Sequence, residues 1–216
     1  MRHPCGFDGL ARFYRPLEYL AFGRDLERAR FVHLSHLQNC RSILVLGEGD
    51  GRCLARLVLL APHARIDCFD SSSAMLASAY RRIAGSEATG RVTFRQADLL
   101  THALPAARYD AVVTCFFLDC FTAAQAETLI DGIKRSLRPG ALWLWADFAL
   151  PAQGYRRLRA RAWLALLYFF FRWQTGLAAR ELPPVESLLA SHRYVALAEC
   201  SFQKGLLRSV IWRSVS

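Results

Sequence analysis

Apolar positions along the chain change period near residue 40. Leu17, Leu20, Ala21 and Phe22, followed by Leu26, Ala29 and Val32, recur at helical spacing, while Arg24, Asp25, Glu27 and Arg28 fall on the opposite face. The first forty residues therefore read as helical. At SILVLG, Ser42 to Gly47, the pattern becomes a continuous apolar run closed by glycine, as a strand buried on both faces of a parallel sheet requires. A helix is expected from Cys53 to Leu60, before Pro62. The next strand is RIDCFD, ending at Asp70, and SSSAMLASAYRRIAG reads as a helix ending near Gly85. VTFRQAD is a third strand, and YDAVVTCFF, rich in β-branched and aromatic residues, a fourth. Thr122 and Gln125 form a capping-box pattern ahead of a helix running to about Leu137, which Pro139-Gly140 is expected to end. ALWLWADF is a fifth strand. A basic and apolar helix follows, then a polar break at Glu181 to Pro184, a short helix from Val185, and strands over Tyr194 to Phe202 and Leu206 to Trp212.

Alternating strands and helices imply a parallel sheet covered on both faces. The last two strands are separated only by Gln203, Lys204 and Gly205, a connection that demands an antiparallel hairpin. The expected architecture is thus α/β, a seven-stranded mostly parallel sheet with an antiparallel C-terminal hairpin and helices on both faces. A length of 216 residues suits one domain, and a 53% hydrophobic, 21% charged composition is incompatible with intrinsic disorder. The longest apolar run, Ala162 to Phe171, falls short of the roughly 18 residues needed to span a bilayer. Asp8, Arg12, Arg15 and Glu18 interrupt the first twenty residues, so no secretory signal is expected.

The net charge of +10 permits anionic partners without choosing among them. From Pro151 onward ten basic residues face three acidic ones, so most of the excess lies in the tail. Seven cysteines, with no C-x-x-C spacing, give no metal site; they read as small buried thiols of a reducing cytoplasm, with a reactive thiol at Cys115 or Cys120 as the competing reading.

The first strand runs into Gly47-Glu48-Gly49-Asp50-Gly51, a turn whose glycines let backbone approach a ligand ahead of a helix N-terminus. Such a turn can also be a plain strand-to-helix connection. Asp70 closes the second strand, where a carboxylate can hold both ribose hydroxyls of a nucleoside or can cap the next helix. Asp98, after the third strand, can accept from an exocyclic amine such as adenine N6 or can brace its own loop.

Together ILVLGEGDG, the acid in FDSSSAML, and QADLL resemble the first three motifs of class I S-adenosylmethionine-dependent methyltransferases. FDSSSAML is similar to the D-x-S-x-x-M-L form of the ubiquinone/menaquinone C-methyltransferase-like branch. YDAVVTCFFLD lies where the fourth-strand motif belongs, and LRPGALWLWADF resembles the R-P-G-G stretch before the fifth strand, with Ala141 in place of the second glycine. The resemblance spans roughly residues 10 to 214. It implies a Rossmann-like fold and S-adenosylmethionine as cofactor. Gly47, Glu48, Gly49 and Gly51 would surround the methionine portion, Asp70 the ribose, Ser71, Ser72 and Met75 the adenosine, and Asp98 and Leu99 the adenine. Thr114 and Cys115 would lie beside the sulfonium. Tyr14 resembles the tyrosine that closes over the cofactor, with Arg15 where the family has aspartate. The implied organisation is one methyltransferase domain over 1–216: a helical cap (1–40), a cofactor-binding core (41–150), a substrate-covering helical segment (151–193) and a terminal hairpin (194–214).

Asp119, after the fourth strand, is the best-placed candidate general base, and a turn or cap role competes with it. His102 and His192 read as surface loop residues. Arg156, Arg157, Arg159 and Arg161 precede the apolar run carrying Trp163, Phe169, Phe170, Phe171 and Trp173. Three readings stay open for 155–173: a lid over an apolar substrate, a peripheral contact with anionic membrane, and a plain core helix. The function implied is methylation of a small, apolar or aromatic molecule by a cytoplasmic protein that reaches a membrane surface if 155–173 meets lipid. A catalytically inactive cofactor-binding scaffold and a nucleic-acid methyltransferase are the alternatives; no nucleic-acid partner is expected, because TCFFLD is not the N-P-P-Y type of sequence. An NAD-dependent oxidoreductase would have a third glycine where Arg52 stands.

Overall fold

The computed structural model describes residues 22–151, 153–175 and 181–215. Strands β1 (Ser42–Leu46), β2 (Arg65–Asp70), β3 (Val92–Gln96), β4 (Tyr109–Cys115), β5 (Leu137–Phe148), β6 (Tyr194–Phe202) and β7 (Leu207–Ser214) form one sheet in the order β3-β2-β1-β4-β5-β7-β6. The helices are α1 (Asp25–Phe31), α2 (Arg52–Leu60), α3 (Ser73–Ile83), α4 (Ala123–Ser136), α5 (Gly154–Thr175) and α6 (Val185–Ser191). The strands from β1 to β5 pair in parallel, and β7 pairs antiparallel with both β5 and β6. A reversed strand between two others leaves β6 running with the parallel set, so β7 alone is inverted. The fold is Rossmann-like, as the alternation implies.

Strand alternation sorts the core into two layers. On one face Ile43, Val45, Ile66, Cys68 and Val113 pack with Ala29 of α1, Leu54 and Leu57 of α2, and Leu76 and Ala79 of α3. On the other, Leu44, Leu46, Phe69, Val112, Trp143 and Trp145 pack with Leu129, Ile130 and Ile133 of α4 and Leu189 of α6. Polar groups inside the sheet are paired: the Tyr109 hydroxyl donates to Asp67 Oδ2 (2.8 Å), which Arg108 also approaches at 3.0 Å, and Trp143 Nε1 donates to Thr114 Oγ1 (2.8 Å).

Several boundaries depart from the pattern reading, β3 ending at Gln96 rather than Asp98 among them. Helix α4 begins with the expected capping box but stops at Ser136, and Pro139-Gly140 lies inside the β5 span. There the pairing jumps from Tyr109↔Leu137 to Ala111↔Leu142, so the Pro-Gly pair sits in an irregularity of the strand, where proline's missing donor is tolerated. β4 ends at Cys115, because Phe116 takes a positive φ of 54°. β7 begins one residue later than expected and extends to Ser214. Among the described residues no helix is long and apolar enough to cross a membrane.

Gly51 fixes how α2 meets α3. Its φ is 86°, it occupies the N-cap of α2, and a Cβ there would come within 2.5 Å of Ala79 Cα. Gly51→Ala is expected to destabilise the fold by about 2–4 kcal/mol, read as a lowered urea midpoint at unchanged slope.

Candidate active site

β1 pairs with β2 on one side and β4 on the other, so the strand order reverses beside β1. In open α/β sheets the crevice at the carboxyl ends of strands at such a point is where ligands bind. Four segments meet there: the glycine turn after β1, Asp70 at the end of β2, Phe116 to Asp119 after β4, and Asp147 near the end of β5.

The turn is held from both sides. A Cβ on Gly47 would collide with the Phe117 ring, whereas one on Gly49 (φ 69°) would meet no atom within 4 Å among the described residues. Glu48 Oε1 accepts from the Leu54 N–H (2.9 Å), and its carboxyl also takes the Cys53 N–H. These are the free amides at the start of α2. Burial pushes the Glu48 carboxyl up to about 7, against the opposing pull of those amides and of Arg30. Asp50 turns outward to Arg52 (3.0 Å) and Arg82 (3.1 Å), and Arg52 also reaches Glu27 of α1 (3.0 Å). The chain's own carboxyl thus occupies two of the amides with which a helix N-terminus binds anions.

Asp70 is partly exposed. Its Oδ1 accepts from the Ser72 N–H (2.9 Å) and Oδ2 from the Gly49 N–H (3.4 Å), so one carboxylate ties the glycine turn to the start of α3. The cap of α3 is Ser72, whose Oγ accepts from the Met75 N–H (3.2 Å). Ser71 is exposed at the rim, and Met75 is buried beneath it. Asp98 is exposed and accepts from the Leu100 N–H (3.0 Å), with Leu99 half-buried beside it. The His102 ring lies 5.6 Å from Phe69, and His192 approaches Asp131 of α4 at 3.6 Å.

After β4 the side chains divide. Thr114 is fully buried, and its hydroxyl serves Trp143. The Cys115 thiol is buried and hydrogen-bonded with Cys53. Neither side chain faces the crevice; Phe116 does, with the Arg30 guanidinium 4.8 Å from its ring centre. Burial lifts the Cys120 thiol well above its ordinary value, which makes it a poor nucleophile.

Asp119 sits in the short turn Leu118–Cys120 and accepts from Cys120 Sγ (3.5 Å); Thr122 and Gln125 do the helix capping. Its carboxyl acts electrostatically on that of Asp147, which is 1% exposed and takes the Trp145 Nε1–H at 3.0 Å. Burial raises both carboxyls, and Asp119 raises Asp147 further. Asp147 was not singled out from the sequence, although it ends a strand as Asp70 does. Phe116, Phe148 and Trp163 pack with the buried Phe22, Leu206 and Leu207 in one aromatic and aliphatic cluster. Phe148 lies 5.6 Å from Phe22 and 5.4 Å from Phe116, and Phe22 lies 6.1 Å from Trp163 of α5. Tyr14 and the side chains of 166–175 lie outside the described residues.

Residues 43–140 match the family model described as a methyltransferase domain. A trans-aconitate 2-methyltransferase of Azoarcus sp. (strain BH72) is 31% identical over 155 residues, covering 69% of this chain and 58% of its own. An O-methyltransferase family protein from Burkholderia thailandensis shares the fold with a TM-score of 0.69 at 18% identity, over 97% of this chain and 58% of that one. Human N-acetylserotonin methyltransferase in complex with S-adenosylmethionine superposes with a TM-score of 0.65 at 17% identity, over 97% and 57%. The chain thus spans somewhat over half the length of these proteins. The domain match, the Azoarcus relative and the shared fold support a class I S-adenosylmethionine-dependent methyltransferase, and S-adenosylmethionine is the cofactor of that class. The crevice fits it: among the described residues nothing lies within 4 Å of a Cβ on Gly49, Asp70 ends β2, and Glu48 occupies two of the α2 amides.

Glu48 yields a pH prediction. A folded carboxyl near 7 binds its proton more tightly than in the unfolded chain, so its contribution to stability is complete below about 4.5 and is lost as pH rises through 7. Glu48→Gln, which carries no charge to bury, should flatten the stability profile over that window by up to about 3 kcal/mol in denaturant titrations at several pH values.

Proposed function

We propose that the protein transfers a methyl group from S-adenosylmethionine to a small, apolar or aromatic molecule. The observation that carries the acceptor class is the aromatic cluster of Phe22, Phe116, Phe148 and Trp163 at the ends of β4 and β5. When bound, the cofactor supplies a methyl carbon on a sulfonium: the acceptor's lone pair bonds to that carbon while the carbon–sulfur electrons stay on sulfur.

In this reading the residues align the partners and keep water out. Asp70 accepts from the ribose hydroxyls at the end of β2. Gly47, Gly49 and Gly51 shape the backbone around the methionine portion, with Glu48 bracing the turn from behind. Met75, Ser71 and Ser72 border the adenosine, and Asp98 and Leu99 hold the adenine. Thr114 and Cys115 contribute backbone beside the sulfonium, and Tyr14 closes over it. The segment 1–40 caps the 41–150 core, and 151–193 covers the acceptor. The D-S-S-S-A-M-L stretch favours the ubiquinone/menaquinone-like branch. The Azoarcus relative is named for trans-aconitate, a tricarboxylate; the paired acids Asp119 and Asp147 favour a less anionic acceptor here.

A peripheral contact with anionic lipid through 155–173 is a further part of the proposal. Tyr155 and Leu158 are 75% and 69% exposed, among exposed Arg156, Arg157 and Arg161.

Calorimetric titration tests the cofactor. S-adenosylhomocysteine should bind saturably and NADH should not, and Asp70→Ala should weaken binding at least tenfold, about 1.4 kcal/mol. NADH binding in preference to S-adenosylhomocysteine would overturn the reading. Sedimentation with vesicles tests the lipid contact: phosphatidylserine vesicles should carry the protein down at low salt and release it at high salt. Failure to bind them at low salt would refute that contact.

A further inference from the structure

The turn between β6 and β7 has a backbone that its residues do not favour. Gln203 and Lys204 both take left-handed φ values, 52° and 60°, ahead of Gly205 at 91°. Two successive non-glycine residues in that region are strained, and such a turn persists where its surroundings hold it. Here α5 and α1 hold it. The Gln203 carbonyl accepts from Arg159 Nη2 of α5 (2.7 Å), and the Gln203 side-chain amide donates to Asp25 Oδ2 of α1 (2.6 Å). Pro151, just ahead of α5, packs against Gly205, where a Cβ would come within 3.2 Å of its ring.

The contacts continue to the glycine turn. Two positions along α1 from Asp25, Glu27 Oε1 accepts from Arg52 Nη1 (3.0 Å), and Arg52 Nε donates to Asp50 Oδ1 (3.0 Å). Arg82 of α3 donates to the other Asp50 oxygen at 3.1 Å. Asp50 stands next to Gly49, whose N–H donates to Asp70. On α5, Tyr155, Leu158, Ala162 and Ala165 recur at helical spacing and are exposed, while Ala160 and Leu164 are buried. Arg161 is exposed beside that stripe, Arg156 and Arg157 are exposed at its start, and Lys204 is exposed in the strained turn. Hydrogen bonds at both ends of α1 thus join the basic and apolar face of α5 to the glycine turn.

Resting on the methyl-transfer and lipid-contact readings above, we propose that anionic lipid on α5 and S-adenosylmethionine at the glycine turn strengthen each other's binding through α1. The two-state element is α1 together with the strained turn. Docked, α1 meets Gln203 and Arg52 at once; undocked, Gln203 and Lys204 relax and Arg52 loses Glu27. Helix α1 has seven residues, too few to be stable alone, so its place depends on what it packs against and on these bonds. A lipid surface that seats α5 fixes Arg159 on the Gln203 carbonyl and keeps the Gln203 amide aimed at Asp25. Docked α1 then sets Glu27 on Arg52, and Arg52 holds Asp50 and the adjoining backbone where the methionine portion lies. The same links run in reverse, because coupling between two binding sites is reciprocal. A small apolar acceptor partitions into lipid, so the coupling loads the protein with cofactor where its acceptor is concentrated. Gln203 is a positioning residue that acts through Asp25 and α1.

The test measures both affinities, each with and without the other ligand. S-adenosylhomocysteine is titrated into the full chain at low salt, alone and with saturating phosphatidylserine vesicles. Vesicle sedimentation is then repeated with and without saturating S-adenosylhomocysteine. Phosphatidylserine should tighten S-adenosylhomocysteine binding about fivefold, and S-adenosylhomocysteine should tighten vesicle binding by the same factor. Phosphatidylcholine vesicles should leave S-adenosylhomocysteine binding unchanged. Gln203→Gly keeps the left-handed turn without strain and removes the amide to Asp25, so it should fold and bring the factor to one. Glu27→Gln, at the other end of the relay, should lower the same factor. A factor of one in a wild type that binds both ligands would overturn the coupling alone. A full factor in both variants would overturn the route through α1. A chain that fails to bind S-adenosylhomocysteine would overturn the methyl-transfer reading, and one that binds it but not the vesicles would overturn the lipid contact; the coupling would fall with either.

Discussion

The turn between β1 and α2 is the constraint on which the crevice depends. It is wedged between Phe117, which leaves no room for a side chain on Gly47, and Ala79 of α3, which leaves none on Gly51. Glu48 closes the wedge by binding the first amides of α2. The backbone path is therefore set by packing on two sides and by a buried hydrogen bond in the middle, with Gly49 between them. Asp70 inherits its position from the same turn, through its contacts with the Gly49 and Ser72 amides. Substitutions at Gly47 or Gly51 thus act on the fold.

Charge at the crevice runs opposite to charge on the molecule. The chain carries +10, concentrated after Pro151, but the strand ends present Glu48, Asp70, Asp119 and Asp147, with Arg30 set among them. Acids at the ends of adjacent parallel strands suit a cofactor that carries a sulfonium, and a carboxyl already occupies two of the α2 amides with which a helix N-terminus binds anions.

Much of the sheet was legible because buried parallel strands are written as apolar runs punctuated by glycine and acids: RIDCFD coincides with β2, and SILVL with β1. The hairpin's antiparallel pairing followed from its three-residue connection. Pro139-Gly140 misled because a Pro-Gly pair reads as a stop, whereas here it occupies a register shift within a strand span. The site was legible as positions more than as side-chain directions. Asp70 ends β2 and Ser72 caps α3. Glu48, Thr114 and Cys115 turn their side chains into the helix amides, the sheet and Cys53, which no spacing reveals, because positive φ at glycines and the strand twist decide it. Asp147 was missed because a lone acid at a strand end gains meaning only when the turn after β4 folds Asp119 against it.

The account stands most directly on where the cofactor product sits. A crystal structure of the chain with S-adenosylhomocysteine should place both ribose hydroxyls on the Asp70 carboxylate, the methionine portion against Gly49, and the sulfur toward Phe116 and Asp119. Electron density for the ligand away from the Gly47–Gly51 turn, or a ribose that does not touch Asp70, would contradict it.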